Sequence, residues 1–189
     1  SLAPVQGTEL VITDLLPGLR QLSGDKIQRY LASELRDRIR QSSVEIRVLD
    51  RVTRSEYLVE PRKFNGQLVH HSSIACETFG EIYTEIYLNA PSEENEVALY
   101  RAGTRVLPAL SRLNAFEKQP WISKYFQGLI DAPFLNLTPG TRDGIIHDER
   151  FSQFNIALTP LEEHLNSIIT QQQQQQDEES NRHVLQSVQ

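Results

Sequence analysis

Residues 80–89 (GEIYTEIYLN) set Ile82, Thr84, Ile86 and Leu88 against Glu81, Tyr83, Glu85 and Tyr87 in strict alternation. A period of two belongs to a strand with one face on a core and the other turned away. The neighbouring segments extend this strand into a sheet. Residues 44–49 (VEIRVL) alternate as well, and Asp50-Arg51 makes a turn into a second strand near 53–59, ended by Pro61. Residues 67–76 form another strand. The acidic turn 90–95 (APSEEN) leads to a returning strand at 96–100, and 128–131 (GLID) is a short strand.

Helical spacing occurs at two main places. Ser23 is a candidate N-cap, and Ile27, Tyr30, Leu31, Leu35 and Ile39 fall on one stripe of a helix ending near Gln41. Asp25/Arg29 and Glu34/Arg38 are opposite-charge pairs four residues apart on its wet side. A second helix starts with Asp148 as cap and runs to about Thr170. Its apolar stripe is Phe151, Phe154, Leu158, Leu161, Leu165 and Ile168, and Pro160 is expected to kink or divide it. Residues 108–118 are read as a further helix. Residues 8–15 (TELVITDL) read as a strand. The six glutamines at 171–176 and the polar residues after them cannot bury a core and are expected to be mobile, with the helix able to run some way into the glutamines. The resulting order, β-α-β-β-β-β-β-α-β-loop-α, predicts an antiparallel-rich α/β (α+β) sheet covered by helices on one face.

Bulk properties narrow the function. The chain has 189 residues and a net charge of -6, from 19 Lys+Arg against 25 Asp+Glu. That balance disfavours broad, non-specific binding to phosphate backbones. The single cysteine, Cys76, excludes an intrachain disulfide and fits a reducing, cytoplasmic compartment. No apolar run reaches the roughly 20 residues of a membrane span. No signal-peptide pattern is present. The chain also lacks a starting Met and opens almost directly into a strand, as a piece of a longer protein would.

Several catalytic patterns are absent: the Walker loop, G-x-G-x-x-G and H-E-x-x-H. His70 and His71 adjoin on a strand, so they face opposite ways and cannot share one ion. A hydrolase built on Cys76 would need that thiol exposed beside a histidine; a buried cysteine that only packs is the expectation. Glu93, Glu94 and Glu96 read as a solvated turn, and Glu162, Glu163 and His164 as a solvated helix face.

Residues 135–147 (LNLTPGTRDGIIH) stand apart. Gly140 and Gly144 relieve steric limits around Thr141, Arg142 and Asp143. A long loop held between a strand and a helix often carries function. Arg142 offers a planar, permanently charged fork to phosphate oxygens, or alternatively pairs with Asp143 or Asp148.

Here the sequence resembles the end of the coupling (transducer) domain of GHKL-superfamily ATPases. Ninety-kilodalton heat-shock chaperones run from a G-[VL]-[VI]-D strand through an L-N-x-S-R-E loop into a helix. Gly128-Leu129-Ile130-Asp131, Leu135-Asn136-Leu137 and, after the short insertion Pro139-Gly140, Arg142 follow that order. MutL-type repair proteins and MORC ATPases carry a lysine in the analogous loop. In these families the basic residue touches the terminal phosphate of ATP in the neighbouring domain. Gly7-Thr8 resembles the start of the last strand of the GHKL nucleotide domain. Residues 100–106 (YRAGTRV) resemble the Y-x-N-x-R-x-V segment of MutL-like and MORC-like proteins, with Ala102 where asparagine is usual. Residues 54–77 have no counterpart in the resemblance.

The resemblance implies a ribosomal-protein-like, left-handed β-α-β domain with a mixed sheet. It divides the chain into 1–16, the edge of a preceding ATP-binding domain; 17–170, the coupling domain; and 171–189, a Gln-rich tail. It implies a chaperone-like ATPase-associated role in which Arg142, supported by Gly140, Thr141, Asp143 and Gly144, senses ATP in the preceding domain of the same chain. The family's own catalytic Glu, Mg-binding Asn and D-x-G-x-G do not occur, so this chain is expected to bind no cofactor and not to hydrolyse ATP alone. ATP and Mg belong to the longer protein, and a homodimer is a further candidate partner; client protein and nucleic acid stay open, and no membrane partner is expected. The competing class is a nucleic-acid- or protein-binding module of the same fold without ATP coupling, using a basic patch of Arg101, Arg105, Arg112, Lys118 and Lys124.

Overall fold

A computed structural model describes residue 13 and residues 23–42, 44–139 and 144–187. The strand expected at 8–15 and the tip of the loop at 140–143 lie outside the described residues, apart from Thr13.

The described residues open with α1 (Gly24–Glu34) and α2 (Arg36–Gln41), then a two-stranded hairpin of β1 (Arg47–Asp50) and β2 (Ser55–Leu58). A five-stranded sheet follows: β3 (Gln67–Cys76), β4 (Gly80–Leu88), β5 (Val97–Arg101), β6 (Thr104–Leu107) and β7 (Phe126–Asp131), in the order β3-β4-β7-β5-β6. All neighbours are antiparallel except β5 and β7, which run parallel. The sheet is therefore mixed, with the GLID strand at its centre. Two 3-10 turns, Leu110–Arg112 and Asn114–Phe116, link β6 towards β7, and α3 (Glu149–Ser187) closes the chain.

The mixed α+β architecture matches the expectation, and β4 shows why. Ile82, Thr84 and Ile86 are fully buried on the face that packs against Phe154, Leu158 and Leu165 of α3. Leu99 and Ile130 join that core from β5 and β7. The helical cover extends to the opposite face as well. There Tyr100 donates its hydroxyl proton to the Ser33 carbonyl at 2.5 Å, and Glu85 meets Arg36. Both faces of β4 are thus covered, which is why the nominally wet Glu85 is buried.

The helices differ from their sequence reading in instructive ways. Ser23 caps α1 through its backbone carbonyl, which accepts from the Lys26 and Ile27 amides, with no side-chain cap bond. The helix is interrupted at Leu35. The face it buries holds Ala32, Arg36 and Asp37, not the apolar stripe; Tyr30 is 60% exposed. Asp25 and Arg29 pair as expected, but Glu34 pairs with Arg105 and Arg38 donates to Thr104, because long-range partners outcompete the local pair. Residues 108–118 form 3-10 turns instead of an α-helix. Asp148 caps α3 as expected, accepting from the Phe151 amide at 3.1 Å. Pro160 does not divide α3. The carbonyl that the proline leaves without its helical partner belongs to Ile156, on the exposed side of the helix. The helix continues through the glutamines to Ser187.

Candidate functional site

The candidate loop leaves the end of β7, the central strand, and its base is held shut. Leu137 and Ile145 form an antiparallel bridge. The Thr138 amide donates to the Gly144 carbonyl at 3.0 Å, and the Ile146 amide to the Asn136 carbonyl at 2.8 Å. Asn136 Nδ2 donates to Asp148 Oδ2 at 2.8 Å, tying the outgoing arm to the cap of α3. That bond, with the Phe151 amide, holds the Asp148 carboxyl below its ordinary value. Leu135 and Ile145 anchor the arms in the core. Gly144 sits beside Thr138, and a Cβ there would lie 3.0 Å from Thr138 Cγ2. Arg142, Gly140, Thr141 and Asp143 fall outside the described residues.

The loop starts at the wall of a cleft of about 480 Å³, lined by Asp37, Arg40, Glu81, Tyr83, Asp131 and Pro133 among others. Asp131 ends β7 and accepts from the Ala102 and Gly103 amides at 2.8 and 2.6 Å. It therefore holds the β5–β6 turn, in which both residues have positive φ, 50° and 75°. Burial pushes the Asp131 carboxyl up, opposed by those two amides.

Behind the cleft lies a buried charge network that the sequence reading missed. Arg36 Nη2 and Nη1 donate to the two Glu85 oxygens at 2.7 and 3.2 Å, and Nη1 also donates to Asp37 Oδ1 at 2.8 Å. Tyr83 and Tyr87 hydroxyls donate to Glu85 at 2.9 and 2.8 Å, and Arg40 adds a contact at 3.3 Å. Burial alone would raise the Glu85 carboxyl, but Arg36 and the tyrosine hydroxyls hold it down to about 2. Burial and Glu85 together push the Tyr83 hydroxyl up to about 12. Burial raises the Asp37 carboxyl against the pull of Arg36 and Arg40. Nothing local in 36–37 announces this role, since its partner is 49 residues away.

The remaining candidates take separate places. Arg101 donates to the Leu135 carbonyl at 2.7 Å, so it too braces the loop base. Arg105 pairs with Glu34, Lys118 with Glu162, and Lys124 with Glu93 and Glu96. Arg112 ends the first 3-10 turn. Four of the five basic residues are thus engaged individually with acidic or carbonyl partners. Glu162 is a correction: it is 7% exposed and accepts from Trp121 Nε1 at 2.8 Å as well as from Lys118, so it belongs to the packed interior, not to a solvated face. Cys76 is buried in the core. His70 sits near His164 on the α3 side, whereas His71 Nε2 lies 3.0 Å from the Tyr83 hydroxyl on the other face. Among the described residues no group of three or more His, Cys, Asp or Glu is arranged to hold a metal ion. Among them, too, no helix is long and apolar enough to cross a membrane.

No family model matches the chain, and no curated protein matches it in sequence.

Proposed function

We propose that this chain is the coupling domain of a GHKL-type, chaperone-like ATPase, reading nucleotide through the loop that joins β7 to α3. The observation that supports this reading is the closed base of that loop. Two backbone hydrogen bonds, the Asn136–Asp148 bond and Arg101 brace the two arms of the loop that carries Arg142. A basic residue carried on a braced base loses little freedom when it meets an anion, which is what a phosphate sensor requires. The base is also continuous with the centre of the sheet through Asp131 and the β5–β6 turn, giving a displaced tip a stiff body to act on.

In this reading ATP and Mg are held by an ATP-binding domain preceding this one. The part played by this chain is a single guanidinium, which offsets charge building on the transferred phosphoryl group. The chain alone turns over no ATP. In the protein that joins it to an ATP-binding domain, Arg142→Ala should lower kcat by about 10²-fold or more while nucleotide affinity is retained. Unchanged turnover removes Arg142 from the mechanism, and turnover by the isolated chain removes the division of labour.

A further inference from the structure

Residues 54–77, which the family resemblance leaves without a counterpart, contribute one wall of a second pocket. Its volume is about 400 Å³, and it lies between α2, β4 and the segment Pro61-Arg62-Lys63-Phe64. We infer that this pocket binds the phosphoryl group of a small phosphate monoester, through Arg62, Lys63 and Arg40.

The argument begins with charge. Arg36, Arg40, Arg62 and Lys63 line the pocket against one carboxylate, Glu85. Arg36 has four of its five N–H donors engaged: Nη1 and Nη2 serve Glu85 and Asp37, and Nε donates to the Arg62 carbonyl at 2.7 Å. Glu85 is neutralised in turn by Arg36, Arg40 and two tyrosine hydroxyls. Arg62 and Lys63 are left over, and among the described residues neither is in an ion pair. Arg40, half exposed, gives only Nη1 to carboxylates. Arg62 and Lys63, together with an Arg40 partly committed to Glu85 and Asp37, thus line a space whose one carboxylate is already satisfied.

The site is also built in advance. The Arg62 amide donates to the Ala32 carbonyl at 3.1 Å while its own carbonyl accepts from Arg36, so its backbone is fixed on both sides. Its guanidinium lies 5.5 Å from the centre of the Phe64 ring, and that ring also carries Arg36 at 4.6 Å and meets Tyr87 at 5.7 Å. A guanidinium drawn to a ring face spends none of its N–H donors on that contact, so they stay available to phosphate oxygens. The same surroundings select for a compact ligand. On the other side of Arg40 stands the cleft of Asp37, Glu81 and Asp131, and the whole chain carries -6, both of which repel an extended polyanion.

The test is an NMR titration of the full chain with inorganic phosphate, phenyl phosphate and a single-stranded oligonucleotide at one ionic strength. Saturable shifts at Arg62, Lys63 and Phe64 with the two small phosphates are expected. Arg62→Gln/Lys63→Gln should weaken phenyl phosphate by roughly tenfold or more, since two charge-assisted bonds are lost. The exposed Lys63→Gln change alone should weaken it in the same direction, keeping the test informative if the double variant unfolds. Absence of saturable shifts, or shifts indifferent to these substitutions, overturns the assignment. Tighter binding of the oligonucleotide, with shifts spreading beyond the pocket, overturns it in favour of a strand-binding surface. None of these readings depends on ATP turnover or on Arg142.

Discussion

Arg36 and Glu85 form a two-pronged ion pair between α2 and β4, with both side chains about 5% exposed. A buried pair of this kind contributes little net stability, because desolvation offsets attraction, but leaving one partner alone is costly. Glu85→Gln keeps the shape and removes the charge, so Arg36 retains only Asp37. Loss of about 3 kcal/mol is expected in urea unfolding at neutral pH. A loss below about 1 kcal/mol, typical of exposed pairs, would show that the pair is hydrated in solution.

The same network sets the acid response. Glu85 has its folded carboxyl depressed from 4.5 to about 2, so the stability it contributes is complete above pH 4.5 and is lost as pH falls towards 2. Asp37 and Asp131 are raised above 3.8, so their ionised forms cost stability at neutrality and protonation relieves that cost. The melting temperature should therefore be flat or rise slightly from neutrality towards pH 4.5, then drop. In Glu85→Gln the drop should shrink, since the group responsible no longer titrates. Parallel pH profiles for the two proteins would assign acid unfolding to other carboxylates.

How much of this was legible in the sequence depends on the range of the interaction. The alternation at residues 80–89 marks β4 and its Ile82/Ile86 face, and GLID reads as a short strand, although its central place in the sheet is seen only in the structure. The Asp148 cap was readable because its acceptor and donor are three residues apart. The buried role of Arg36 was not, because charged residues on a helix read as solvated until a partner on a distant strand is known. The stripe of Ile27, Tyr30, Leu31, Leu35 and Ile39 is not the buried face: the helix turns Ala32, Arg36 and Asp37 inward to reach Glu85 and leaves Tyr30 exposed. Residues 108–118 have apolar spacing but fold as two 3-10 turns, a distinction that hydrophobic period alone does not make. At the loop, the sequence offers Arg142 as a candidate, and the structure describes the braced arms that flank it in the chain.

Ala102 offers a test of local strain. Its φ of 50° is left-handed, a region where glycine and asparagine are at ease and alanine is not. It is also the position at which the resembling families usually carry asparagine. Its side chain is exposed, so a change there disturbs no packing. Ala102→Gly and Ala102→Asn should each stabilise the chain by about 0.5–1 kcal/mol. Destabilisation by both would show that the turn does not hold this conformation.

Gly128, the first residue of GLID, is required for a different reason. Its φ is 153°, and a Cβ built on it would stand 2.1 Å from the Glu85 carbonyl oxygen and 3.0 Å from Ile86 Cα. These are backbone atoms of the adjacent strand β4 and have nowhere to go. Gly128→Ala should cost about 3 kcal/mol or more, combining backbone strain with overpacking. The measurement is thermal or urea unfolding, and a near-neutral result would mean that β4 and β7 are further apart than described.

Asn136→Ala tests the loop brace without touching the tip. The substitution deletes the bond to Asp148 Oδ2 but leaves Asp148 capping α3 through Oδ1, so the global fold should persist. The effect should be local. Amides of Thr138 and Ile146, whose bonds close the base, should exchange with deuterium roughly three- to tenfold faster, while β4 and β7 amides are unchanged. In the protein joined to its ATP-binding domain, the same variant should lower kcat less than Arg142→Ala does, because the tip residue is present but held less firmly. Local loosening with full turnover would separate the brace from the chemistry and leave Arg142 to act, if at all, without it.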